Sequence, residues 1–197
     1  MKTKMIYLII VFANLCLCAN AQNYEATLWD EYEGLWEYAH NDTVFRIKLK
    51  RGVTEYSDNE TSKAIYGNYS LKVNGIMKED YMGVLPSTVR FSDLYSYPRA
   101  KVYIYDDFLD SYAYITPKTG IGFRFFDQRK KHAEGKGLVG GQIKLLSPNT
   151  LHWTLNEEVG LWEEYEGDAD RVMPDPIGFS VPTDVIMTRV IEDSDSK

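Results

Sequence analysis

Cysteine is almost absent from this chain of 197 residues. The only two, Cys16 and Cys18, lie near the amino terminus, and residues 22–197 contain none. A disulfide framework and a cysteine nucleophile are therefore excluded for residues 22–197. A stable fold over that stretch must depend on the packing of side chains.

Positive charge is also in short supply. Lysine and arginine together number 22, against 29 aspartates and glutamates, which gives a formal net charge of −7. An acidic surface disfavours nucleic acid and anionic membranes as partners. We therefore expect the protein to bind neither of them.

The chain also lacks an apolar run long enough to cross a bilayer, which takes about 20 residues. Its longest run, Met5 to Cys18, follows Lys2 and Lys4 and precedes Ala19-Asn20-Ala21. This order is typical of a cleaved export signal. We expect a signal peptide over residues 1–21 and a mature chain without a transmembrane span, located in the periplasm or outside the cell.

Lipid attachment at Cys18 is the less favoured alternative. Lipoprotein sites place a small residue before the modified cysteine, and here the preceding residue is Leu17. We therefore expect export without a lipid anchor.

No long helical period appears after residue 21, whereas alternation with a period of two is frequent. The stretch Val44 to Arg51 places Phe45, Ile47 and Leu49 on one face and basic residues on the other, as expected for a half-buried strand. Asn74-Gly75 is a hairpin turn signal. We predict an all-β fold over residues 22–197, a single antiparallel β-barrel with a β-sandwich as the alternative. Residues 192–197 would form a frayed acidic tail.

The phrase Gly-Leu-Trp-Glu occurs twice, at residues 34–37 and again at 160–163. The flanks of the two copies differ, so they are interpreted as two strand ends and not as a repeat. Trp36 and Trp153 are predicted in the core, with Trp162 at a strand end. Residues 129–141 are expected to form a mobile, basic loop, and residues 164–176 an acidic one.

The first copy of the phrase resembles the Gly-x-Trp signature of lipocalin-like barrels. In that family the tryptophan lies on the first strand and packs across the floor of the barrel. A basic residue near the last strand often packs over it. The resemblance implies this structural role for Gly34, Trp36 and Arg189.

A broader resemblance covers most of residues 22–197. The ordered segments GLWEY, NDTVFRIKLKRG, GNYSLKVNG, LHWTLNEEVG and GFSVPTDVIMTRV are similar to a family of small exported β-rich proteins of Gram-negative bacteria, catalogued as a domain of unknown function. The resemblance implies a single exported β-rich domain and carries no catalytic residues.

Candidate sites for metals and catalysis are weak. His40, His132 and His152 do not have the close spacing of a zinc site, and the acidic loop lacks the spacing of a calcium loop. No Gly-x-Ser-x-Gly motif is present. We predict no metal, no cofactor and no enzymatic activity. A hydrolase with two converging carboxylates ranks last among the functions considered.

Tyrosine is the remaining signal. Six tyrosines lie close together in the sequence and are taken as a candidate ligand-binding set: Tyr95, Tyr97, Tyr103, Tyr105, Tyr112 and Tyr114. Of these, Tyr103 and Tyr105 would face outward or line a cavity. Two functions follow. The first is binding of a small apolar ligand in a barrel cavity lined by Tyr and Leu. The alternative is a surface module that contacts a glycan or an envelope protein through its tyrosine-rich strands.

Overall fold

The computed structural model describes residues 30–57, 60–93, 100–105, 120–165 and 173–191. The chain divides into two units, Met1–Tyr32 and Glu33–Lys197. Residues 30–32 of the first unit form a helical turn. All of the strands described below belong to the second unit.

The described part contains ten strands and one helix of nine residues, together with two short 3-10 turns at Phe91–Asp93 and His132–Gly135. In chain order the regular elements are β1 (Gly34–His40), β2 (Thr43–Ser57), β3 (Glu60–Val73), β4 (Ile76–Asp80), β5 (Thr88–Arg90), β6 (Val102–Tyr105), β7 (Ile121–Phe125), β8 (Leu138–Ser147), β9 (Thr150–Leu155), α1 (Glu157–Tyr165) and β10 (Asp184–Val190).

Eight strands close into an antiparallel barrel in the order β1-β2-β3-β6-β7-β8-β9-β10, with β10 pairing back to β1. The predicted lipocalin-like β-barrel is thereby confirmed. The other two strands lie outside this ring. β4 pairs with β3 beyond the end of β6, and β5 runs parallel to β2 beyond the end of β1.

The second strand shows how the sequence sets the inner and outer faces of the barrel. Phe45, Ile47 and Leu49 are buried, whereas Arg46 is exposed. The turn after β3 is also as predicted, because Asn74 and Gly75 both adopt positive φ angles, 52° and 74°. Such angles match the twist of the two strands that the turn joins, β3 and β4.

Aromatic rings fill the interior around Trp153, which is fully buried. The ring of Phe123 lies 4.6 Å from it between centroids, and those of Phe45 and Phe125 lie 5.5 and 5.7 Å away. Tyr69 extends this group, 5.2 Å from Phe125. An eight-stranded barrel is just wide enough for its own side chains to fill it, and these rings do so.

The third strand is buried on both faces from Ala64 to Leu71. Its inner face joins the barrel core, and its outer face is covered by the segment 81–90. This outer cluster is a second small core, formed by Ala64, Tyr66, Leu85, Val89, Ala100, Tyr103 and Phe126.

The prediction of a strand end for the second Gly-Leu-Trp-Glu copy was wrong, because residues 157–165 form α1. Asn156 caps this helix, since its side-chain Oδ1 accepts the N–H of Val159 at 3.2 Å. Trp162 therefore lies on a helix and not at the end of a strand. A Cβ at Gly140 of β8 would lie 2.4 Å from the carbonyl oxygen of Asn156, so the helix approaches that strand closely.

The predicted loop at residues 129–141 was wrong in its last four residues, which are part of β8. The turn before them contains three non-glycine residues at positive φ, namely Lys131, Ala133 and Glu134. Such angles are costly for residues with a Cβ, so the surrounding contacts must hold this turn.

Candidate functional site

Only one of the six candidate tyrosines has a described side chain. Tyr103 points away from the barrel interior, as expected from its neighbours, but it is 1% exposed because the outer cluster covers it. Tyr105 lies on β6, but its side chain is outside the described part of the structure. The described residues do not include the other four: Tyr95, Tyr97, Tyr112 and Tyr114. Their role in ligand binding stays a prediction.

Thr54 is the polar centre of the outer cluster. Its hydroxyl is hydrogen-bonded to the hydroxyls of Tyr66, at 3.1 Å, and Tyr103. The two tyrosine rings stack 5.4 Å apart, and the Tyr66 hydroxyl also donates to the carbonyl of Val53 at 2.7 Å. Burial raises the pKa of Tyr66 above its ordinary value. These contacts describe a satisfied structural cluster.

The structure brings Gly34, Trp36 and Arg189 together at the seam between β1 and β10. The guanidinium carbon of Arg189 lies 4.2 Å from the ring centre of fully buried Trp36. The same guanidinium donates to the carbonyls of Glu33 and, at 3.0 Å, Pro148. Gly34 leaves room for it, because a Cβ there would lie 2.7 Å from Nη1 of Arg189. The three residues therefore pack together where the first and last strands of the barrel pair.

A groove of about 430 Å³ lies on the outer wall of the barrel. A cross-strand row of Gly122, Gln142, Thr154 and Asp184 runs along it, on β7, β8, β9 and β10. The inward neighbours of this row, such as Ile143 and Trp153, fill the core, so the row faces outward. The start of α1 forms the far wall through Asn156 and Val159.

The groove presents hydrogen-bonding groups with little positive charge. Its polar side chains are two amides, two hydroxyls and one carboxylate: Gln142, Asn156, Thr154, Thr183 and Asp184. Among the residues that the structure describes, no lysine, arginine or histidine lines it. Oδ1 of Asp184 lies 2.7 Å from Nε2 of His152, which orients the carboxylate. Groups of this kind suit hydroxyl or cationic ligand groups better than anions.

Next to the groove, residues 173–183 run without regular structure into β10 and form what we call the strap. Asp127 accepts the backbone N–H and the hydroxyl of Ser180, at 2.6 and 2.8 Å. Glu157 of α1 accepts the N–H groups of Ile177 and Gly178, at 2.7 and 2.6 Å. Asp127 therefore fixes the strap to the segment after β7, and Glu157 fixes it to α1.

Of the three histidines, His132 alone is buried. His132 is 3% exposed, its Nε2 lies 3.1 Å from Oε1 of Glu157, and its ring packs 4.7 Å from that of Phe179. Among the described residues, no group of three or more His, Cys, Asp or Glu side chains could hold a metal ion. No described helix has the length and apolar character needed to cross a membrane.

A smaller cavity of about 170 Å³ lies away from the groove, next to the end of β2. Glu55, Tyr56 and Arg90 contribute to its lining. Tyr56 packs against Phe91 with ring centres 5.1 Å apart. This cavity is less than half the volume of the groove, so the groove is the better candidate site.

Sequence patterns did not predict the groove. Its residues come from four strands and a helix that are far apart in sequence, and no short motif joins them. The one local signal was Asn156-Glu157-Glu158, a capping residue followed by two acidic residues, which is typical of a helix start. Recognising it would have placed α1 and one wall of the groove.

A closed eight-stranded meander, with a buried tryptophan on the first strand and an arginine from the last strand over it, defines a lipocalin-like β-barrel protein. Comparison with curated proteins and with solved structures gives no match. A family model matches residues 1–190, and the chain belongs to that family, the family of unknown function DUF6705.

Proposed function

We propose that this protein is exported and acts as a non-enzymatic binding module whose outer groove takes a neutral, hydroxyl-rich saccharide. The observation that carries this proposal is the groove of about 430 Å³ with its five polar side chains. Its volume lies within the range of small-ligand sites, roughly 300–1,000 Å³.

The chemistry of the lining supports this class of ligand. Amide, hydroxyl and carboxylate groups can pair with the vicinal hydroxyls of a sugar. Asp184 is the one charged side chain in the described part of the lining, so its carboxylate would repel an acidic sugar. We therefore expect neutral saccharides to bind more tightly than uronic acids.

The small apolar ligand predicted for a barrel cavity receives less support. The described interior side chains fill the barrel with rings 4.6–6.3 Å apart between centroids. A ligand there would have to displace fully buried groups such as Phe45 and Trp153. An outer site requires no such rearrangement.

The binding proposal can be tested by titrating the ¹⁵N-labelled protein with glucose, maltose and cellobiose, and with glucuronic acid for comparison. We expect amide shifts confined to residues such as Gln142, Thr154 and Asn156, and weaker binding of the acid. Gln142→Ala should weaken binding by about tenfold, because it removes a side-chain hydrogen-bonding group.

Lys144→Ala is the matched control, since Lys144 lies two residues along the same outer face of β8 and outside the groove lining. It should leave the affinity unchanged. Shifts scattered over the surface, or none with any neutral sugar, would contradict the proposal.

Export rests on the order of charges and apolar residues in residues 1–21. It can be tested by expressing the full chain in a Gram-negative host and measuring the intact mass of the periplasmic protein. We expect a chain that starts at Gln22. Retention of residues 1–21 on a cytoplasmic protein would contradict export.

A further inference from the structure

Glu157 connects the helix beside the groove to the strap. It is the first residue of α1 and follows Asn156, which lines the groove on the helix side. Its carboxylate holds the backbone of Ile177 and Gly178 on the strap. The strap then leads to Thr183 and Asp184, which also line the groove.

Hydrogen bonds also join the strap and the start of α1 to the strands of the barrel. The carbonyl of Pro182 accepts the indole N–H of Trp153 at 3.0 Å, and that of Thr183 accepts the N–H of Leu155 at 2.7 Å. On the helix side, the N–H of Asn156 donates to the carbonyl of Gly140 at 2.8 Å. Both sides of the groove are thus anchored to the barrel, and Glu157 adds a direct link between the helix and the strap.

The surroundings of the Glu157 carboxylate make the link between α1 and the strap sensitive to substitution. The Glu157 side chain is 10% exposed and also accepts Nε2 of His132, so its two oxygens serve three donors. Buried charge-assisted hydrogen bonds are stronger than exposed ones, and the loss of one leaves a donor unsatisfied. Glutamine has one acceptor oxygen, and its NH₂ group would face an N–H donor of the strap.

We infer that Glu157 is a positioning residue that sets the width of the groove by tying the helix to the strap, an inference that rests on the proposed function of the groove. It does not contact the ligand itself. Loosening this tie should let the groove sample wider states, which lowers the fraction of molecules able to bind.

Spin labels can measure the tie without any ligand. In the full chain carrying Cys16→Ser and Cys18→Ser, labels at Glu158→Cys and Asp175→Cys report the distance between α1 and the strap. We expect Glu157→Gln to broaden this distance distribution and lengthen its mean. Because Glu158 is one of the label sites, Glu60→Gln, the same change at an exposed position on β3, serves as the control, and it should leave the distribution unchanged.

Binding is measured in parallel with the neutral sugar that gives the largest amide shifts, or with maltose if none stands out. Glu157→Gln should raise the dissociation constant about fivefold, whereas Glu158→Gln, the same change at an exposed neighbour, should not alter it. Thr54→Val controls for general destabilisation. It disrupts the outer cluster, and it should lower the melting temperature without changing the dissociation constant.

The outcomes separate the two proposals. Absence of sugar binding by the unaltered protein would overturn the proposed function, while a broadened distance in Glu157→Gln would still establish the tie. An unchanged distance distribution would overturn the inference, as would a broadened distance with unchanged affinity in a protein that binds sugar. A dissociation constant that rises equally in Thr54→Val would assign the effect to stability and also overturn it.

Discussion

The phrase Gly-Leu-Trp-Glu adopts two different structures in the same molecule. At residues 34–37 it begins strand β1, and at residues 160–163 it lies in the middle of helix α1. The first copy is followed by a turn and the alternating strand β2, and the second is preceded by the cap Asn156 and two acidic residues. Flanking residues and tertiary contacts therefore determine the conformation of these four residues, and their own propensities do not.

The two glycines of the phrase have different tasks. Gly34 has a φ of 139° and leaves space for the guanidinium of Arg189. Gly160 lies in a helix, where glycine is unfavourable, and leaves space for the backbone of Val139 and the side chain of Leu138. One glycine allows a cation to cover Trp36, and the other allows a helix to approach a strand.

The largest effect is expected from Trp36→Ala. The indole is fully buried in the first copy, so its loss should lower the free energy of unfolding by about 3–5 kcal/mol. Urea unfolding followed by circular dichroism measures this change. A loss below about 1 kcal/mol, the size of an ordinary surface effect, would contradict a core role for Trp36.

Gly160→Ala tests the helical copy. In an unobstructed helix this substitution stabilises by about 1 kcal/mol. Here the new Cβ would lie 2.6 Å from the carbonyl oxygen of Val139, so we expect a loss of about 2 kcal/mol in thermal or urea unfolding. Gly83→Ala is the matched control, because nothing lies within 4 Å of its Cβ position, and it should be neutral or slightly stabilising.

Gly34→Ala tests the strand copy and should have a smaller effect. The obstructing atom is the end of a flexible arginine side chain, so it can move, but the positive φ remains strained. We expect a loss of about 1–2 kcal/mol in the same assay. A loss larger than that of Gly160→Ala would mean that the Arg189 contact is less adaptable than its geometry indicates.

The smallest effect is expected from Asn156→Ala, which removes the N-cap of the helix that contains the second copy. The loss should be about 1 kcal/mol, because the N–H of Val159 loses its partner. Asn156→Asp keeps an acceptor at this position and should restore stability in urea unfolding. If both variants behave alike, the cap does not stabilise the helix.

Sequence patterns predicted the barrel well where one face of a strand meets solvent. In β2 the alternation of Phe45, Arg46 and Ile47 records both the strand and its inner face. The same argument fails for β3, since its outer face is also buried, beneath a segment that has no periodic pattern. For this reason the burial of Tyr103 could not be read from its spacing.

The helix and the groove were missed for different reasons. α1 has nine residues, too few to show a clear helical period, and its hydrophobic residues served equally well in a strand pattern. The groove depends on register across β7, β8, β9 and β10, which places Gln142 beside Thr154 and Thr154 beside Asp184. Such neighbours are set by pairing between strands and not by distance along the chain.

The closure of the ring has one more consequence. Three residue pairs join β1 to β10: Leu35 with Val190, Trp36 with Arg189, and Glu37 with Thr188. The first and last strands of the barrel are therefore adjacent, and the chain enters and leaves the ring of strands at this seam. In a circularly permuted chain, a short linker would join β10 to β1, and the new termini would lie at the Asn74-Gly75 turn. Every strand of the barrel would keep its neighbours, and only the position of the termini would change.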